Sequence, residues 1–163
     1  MVEGSPRIGG ADDRHAGHGS GRAVGIDISP EAIAAAQANV SAAGLSGRIN
    51  LLAGNIGHDR WLAGGPYDCI YADPPWGDKS GRHSENEDLH VTLLERAYAG
   101  AAEGARLLVL THEIRMMERC LRRTSAMWRL KSETRVFQKG HHPRIYLLTR
   151  GGRGAGSSGR RTW

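Results

Sequence analysis

Nowhere does the sequence string together the roughly 18 apolar residues that a membrane-spanning helix needs, so no span is expected. Its opening, MVEGSPRIGGADD, has no apolar core behind a basic region and does not read as a secretory signal. Cysteine is almost absent. Cys69 and Cys120 lie far apart, and Cys69 falls inside an apolar run. Neither a disulfide framework nor a cysteine-built zinc site is expected, and no metal is called for. The expected compartment is the cytoplasm. Apolar residues are also scarce at the two ends, where much of the glycine gathers. Residues 1–22, rich in Gly, His, Arg and Asp, read as disordered, and 151–163 read as a flexible tail.

What remains, 23–150, suits one domain with one core. Its charge is unevenly spread. Met1–Thr111 carries 9 Lys and Arg against 14 Asp and Glu, whereas His112–Arg150 carries 10 against 3. A basic block on an otherwise acidic chain is either a solvated face or the footprint of a polyanion such as RNA or DNA.

Local patterning gives alternating strands and helices. AVGID (23–27) is a short buried strand. Ser29 caps a following helix, Pro30 takes its first position, and the helix runs to a stop at Gly44. INLLA (49–53) is a second strand, HDRWLAG a short turn or helix, and YDCIYA (67–72) a third strand ended by Pro74 and Pro75. GDKSGRHSENED (77–88) has no apolar residue and reads as a surface loop. LHVTLLERAYAGAAEG reads as an amphipathic helix through Leu89, Leu93, Leu94, Ala97 and Tyr98. RLLVLT (106–111) is a fourth strand. HEIRMMERCLRRT is a helix with Ile114, Met117, Cys120 and Leu121 on one face. WRLKSETRVFQ and PRIYLLTR form an antiparallel pair. This order implies an open, mostly parallel α/β sheet with helices on both faces. Such sheets bind ligands beyond the carboxyl ends of their strands, which singles out Asp27, Asn55 and Asp73.

Asp27 could accept hydrogen bonds from ribose hydroxyls, or serve its own turn. Asn55 could pair with the edge of an adenine ring while Ile56 lies against its face, or could be a turn residue. The distinctive stretch is Asp73-Pro74-Pro75-Trp76. Two prolines fix the turn before any ligand arrives. The Asp73 carboxylate and the Pro74 carbonyl then make an acceptor pair suited to an amino group on an aromatic ring. Trp76 offers a flat face for stacking that ring.

These stretches, VGIDISPEAIAAAQANVSAAGL, INLLAGNI and YDCIYADPPWG, resemble the acidic-loop and catalytic motifs of class I S-adenosylmethionine-dependent methyltransferases. Asp-Pro-Pro-Trp is similar to the signature of the amino-group methyltransferases. Gly77 and the ending KGHHPRIYLLTR resemble the RNA guanine-N2 branch, including the catalytic domains that accompany THUMP domains. The resemblance implies a Rossmann-like sheet with S-adenosyl-L-methionine as cofactor. Asp27 would hold its ribose, Asn55 and Ile56 would meet its adenine, and Ile28 would also bind the cofactor. Asp73, Pro74, Pro75 and Trp76 would be the catalytic set, acting on guanine N2 of tRNA or rRNA. The basic C-terminal third would carry RNA phosphates.

The family opens with a strand and a glycine loop ahead of the ribose acid. Here the first βα unit is expected to be missing, since Gly19-Ser20-Gly21 has no strand before it. The missing strand would belong between the Asp27 strand and the Asp73 strand, leaving a gap there. A missing N-terminal segment or a partner chain would then complete the domain. An adenine-N6 methyltransferase on DNA or RNA, and a non-catalytic remnant, are the alternative readings.

Overall fold

The computed structural model describes residues 21–75, 83–137, 140 and 142–151. The expectations for residues 1–20, for Trp76 to Arg82 and for the tail beyond Gly151 lie outside these.

The elements follow in the expected alternation: β1 (Ala23–Asp27), α1 (Pro30–Ala42), β2 (Ile49–Ala53), a 3-10 helix (Asp59–Gly64), β3 (Tyr67–Ala72), α2 (His83–Gly100), β4 (Ala101–Thr111), α3 (Ile114–Arg123), β5 (Trp128–Arg135) and β6 (Arg144–Arg150). The α1 start is built as its residues dictate. Ser29 Oγ accepts from the Ala32 N–H at 3.1 Å, and Pro30 opens the helix where no N–H is needed. Gly44 adopts φ +69°, a left-handed position that suits glycine just beyond the helix.

Two boundaries differ from the sequence reading. The polar run at 83–88 is helical, not loop. Helix starts tolerate polar residues when those residues find partners. Here the Asn86 carbonyl accepts from buried His90, and the Glu87 carboxylate is held by Arg119 and Arg123 of α3. Ala101–Gly104 belongs to β4 rather than to the end of the helix. Ala101 pairs with Tyr67 and Arg106 with Cys69, so the intervening residues bulge through Gly104 at φ +72° before the regular ladder resumes.

Pairing is parallel between β1 and β2 and between β3 and β4, and antiparallel between β4 and β6 and between β6 and β5. Among the described residues the strands form two sheets, β1-β2 and β3-β4-β6-β5. One apolar cluster spans both sheets, with Val24 and Ile26 from the first and Ile70, Leu107, Val109, Tyr146 and Leu148 from the second. Trp61 of the 3-10 helix bridges them. It is fully buried, stacks on Tyr67 at 5.7 Å, and lies so close to Gly100 that a Cβ there would meet its ring at 2.7 Å. No helix among the described residues is long and apolar enough to cross a membrane.

Candidate active site

Asp27 ends β1, and its partner in the ladder is Ala53, so Asn55 follows two residues on at the same end of the neighbouring strand. Adjacent strands lie about 4.8 Å apart, which makes Asp27 and Asn55 near neighbours. Asp27 is buried to 7% exposure, and its Oδ1 accepts from the Ser29 N–H at 2.8 Å. One carboxylate oxygen thus fixes the turn into α1. Ser29 in turn donates to Glu31, which holds that exposed carboxyl below the usual range.

Asn55 is also built into a turn. Its Oδ1 accepts from the Gly57 N–H at 2.8 Å, and its carbonyl accepts from the His58 N–H. Of the two isoleucines expected here, Ile56 is 4% exposed and packs in the core, while Ile28 is 63% exposed. The apolar surface offered beside Asp27 is therefore that of Ile28. Trp61 Nε1 donates to the Ile56 carbonyl at 3.1 Å and so holds the Asn55 loop from beneath.

Asp73, Pro74 and Pro75 leave the carboxyl end of β3, where Ala72 pairs with Val109. Asp73 and Pro75 are half-buried and Pro74 is buried. This register sets them alongside the end of β4, where Thr111, His112 and Glu113 follow. The sequence reading did not single out these three, although the strand-end rule that marks Asp27 and Asp73 marks them too.

The end of β4 is tied to α2 by a buried polar chain. The His90 Nδ1 lies 2.8 Å from the Asn86 carbonyl, which can accept but not donate, so Nδ1 carries the proton. Nε2 then accepts from the Thr111 hydroxyl in a long contact of 3.5 Å, and Thr111 Oγ1 accepts from the Glu113 N–H at 3.0 Å. Burial pushes the His90 pKa down and keeps the ring neutral, against smaller opposing effects of Asn86 and Glu113. Near the start of the same helix, Glu87 meets Arg119 at 2.8 Å and Arg123 at 3.3 Å. The hydrogen bond from Arg119 is the main cause holding its carboxyl down. The start of α2 is thus tied both to the end of β4 and to α3.

Not every cation of the C-terminal third faces solvent alone. Besides Arg119 and Arg123, Arg144 pairs with Glu133, and Arg150 donates to the Ala101 carbonyl and lies 4.4 Å from the centre of the Tyr98 ring. Arg115, Arg122, Arg129, Lys131 and Arg135 are exposed. Among the described residues, no group of three or more His, Cys, Asp or Glu gathers to hold a metal ion.

Residues 12–144 match the model of the RMKL-like methyltransferase domain. TrmN from Thermus thermophilus superposes with a TM-score of 0.70 at 24% identity, over 85% of this chain and 39% of TrmN. An rRNA methylase from Streptococcus thermophilus superposes with a TM-score of 0.57 at 11% identity, over 80% of this chain and 74% of its own. Cofactor-bound Rv0187 from MTB superposes with a TM-score of 0.61 at 18% identity, over 79% of this chain and 61% of its own. No curated protein sequence matches the chain.

Proposed function

The chain belongs to the RMKL-like methyltransferase domain family, and from that premise we propose that it transfers a methyl group from S-adenosylmethionine to an exocyclic amine of an RNA base, guanine N2 in tRNA or rRNA. The observation that carries this is the end of β3. There an acid and two prolines follow the last strand residue, beside the β4 rim and within the same core as the Asp27 rim.

The β1–β2 rim fits the nucleoside half of the cofactor. Asp27 Oδ1 is committed to Ser29, which leaves Oδ2 to accept from a ribose hydroxyl. Asn55 Oδ1 is committed to Gly57, which leaves its amide nitrogen to donate to a ring nitrogen of adenine. Ile28 offers its exposed side chain to the ring face. When bound, the cofactor supplies an electrophilic methyl group.

The protein's own part is to hold the amine. Asp73 and the Pro74 carbonyl accept the two N–H hydrogens, which draws the nitrogen lone pair out of conjugation and aims it at the methyl carbon. As the bond forms, positive charge grows on nitrogen, and the Asp73 carboxylate stabilises it and can take up the proton. Pro74 and Pro75 fix the acceptors in advance, so little is lost to ordering at the moment of reaction. Trp76 stacks on the extruded base. The exposed cations Arg115, Arg122, Arg129, Lys131 and Arg135 meet RNA phosphates.

The chain spans 39% of TrmN, so the activity proposed is that of the domain. The test is incubation of the chain with unmodified tRNA and rRNA transcripts and methyl-labelled cofactor, followed by nucleoside mass spectrometry. N2-methylguanosine supports this reading. N6-methyladenosine favours the adenine alternative, and no product from a folded, cofactor-binding chain overturns catalysis.

A further inference from the structure

The β5–β6 hairpin carries an exposed aromatic pair that the proposed chemistry does not use. Arg135 faces Arg144 in the ladder, and the Val136 N–H donates to the Pro143 carbonyl at 3.0 Å one step beyond. Phe137 and His142 are therefore the next facing pair, in the closer, non-hydrogen-bonded setting. Their ring centroids lie 5.4 Å apart at 53°, and Phe137 is 73% exposed. Side chains alternate between faces, so Arg135, Phe137, His142 and Arg144 all project from one face. From Arg135 to Arg144 the sequence contains no acid.

The position is as informative as the pair. Thr111 faces Arg144 in the β4–β6 ladder, so Phe137 and His142 lie past the same rim as Asp73 and Thr111. In the order β3-β4-β6-β5, the tip stands two to three strand spacings from β3. At about 4.8 Å per spacing this is about 10–14 Å, the length of about three to four stacked nucleotides.

We propose that the Phe137–His142 pair is a stacking site for an unpaired base about three to four nucleotides along the strand from the methylated one, with Arg135 meeting its phosphate. The assignment rests on the RNA methyltransferase reading and adds a second contact to it. The occupant is single-stranded RNA because the pair joins flat ring faces to the exposed cation Arg135, the one nearby carboxylate, Glu133, being held by Arg144. A second copy of the same tip would set like charges against one another.

The test is fluorescence anisotropy of the full chain with a labelled single-stranded RNA of mixed sequence, and with the same strand made abasic. Phe137→Ala should weaken binding to the normal strand by about tenfold and leave the abasic strand unaffected. Its salt dependence should not change. Phe137→Trp should retain affinity, and Arg135→Ala should lower the salt slope by about one. Phe137 is exposed, so these variants should fold, as circular dichroism would verify. Three results overturn the proposal: Phe137→Ala binding within about twofold of wild type, equal loss on the abasic strand, or a wild-type chain that binds neither strand. A dimer that dissociates on Phe137→Ala in sedimentation overturns it in favour of a self-interface. Failure of the methyltransferase reading looks different, as a wild-type chain that binds RNA but takes up no cofactor.

Discussion

The Ser29 backbone N–H sits 2.8 Å from Asp27 Oδ1, and Ser29 Oγ in turn caps α1 through the Ala32 N–H at 3.1 Å. The acid that would hold the cofactor is thereby locked to the start of the helix behind it. Its position is set before a ligand arrives, which lowers the ordering cost of binding. The structural role of Asp27 and its proposed binding role use different oxygens, so substitution can separate them.

Asp73 is expected to act on the rate rather than on cofactor affinity. Asp73→Ala should lower kcat by about 10²–10³-fold, the cost of losing one preorganised acceptor at a developing charge. Asp73→Asn keeps an oxygen acceptor and should lose less. Single-turnover methyl transfer, read beside calorimetric binding of the cofactor, checks both. A loss confined to cofactor affinity would assign Asp73 to the wrong ligand.

Trp61 should couple stability to the cofactor rim. It is fully buried, and its Nε1 holds the Ile56 carbonyl beside Asn55. Trp61→Ala should cost about 3–5 kcal/mol. Trp61→Phe keeps most of the packing but drops the indole hydrogen bond, worth about 1 kcal/mol, and should also loosen cofactor binding. Denaturant titration gives the first two values and calorimetry the third.

His90 sets a pH dependence. Burial holds its folded-state pKa below the ordinary 6.5. As pH falls through that value, the unfolded chain takes up a proton that the folded chain refuses, so stability is lost on the acid side and is intact above it. Melting temperatures compared at about pH 7 and about pH 5.5 should show this fall, and His90→Gln should reduce it. An unchanged difference in the variant would place the acid sensitivity elsewhere.

Much of this was legible in the sequence because the signals were local. Ser29-Pro30 marks a helix start, and Pro74-Pro75 ends a strand whatever the rest of the chain does. The acids at the ends of β1 and β3 could be found from strand patterning alone. What escaped depends on distant partners. The polar start of α2 is helical because Arg119 and Arg123 of α3 hold Glu87. Which isoleucine is presented beside Asp27 depends on what covers the other: Ile56 is buried in the cluster that Trp61 shares, and Ile28 is left exposed. The Phe137–His142 pair follows from hairpin register, which composition does not state.

The most direct measurement is isothermal titration of the folded chain with S-adenosylmethionine, repeated on Asp27→Asn and Asp27→Ala. Asp27→Asn retains an oxygen for the Ser29 N–H but replaces the other acceptor with a donor. It should fold like wild type and bind at least about tenfold more weakly, the scale of one lost charge-assisted hydrogen bond. Asp27→Ala should bind more weakly still. Wild-type binding in the micromolar range with this ranking is the predicted result. A folded wild-type chain that takes up no cofactor, or an Asp27→Asn chain that binds like wild type, would contradict the account.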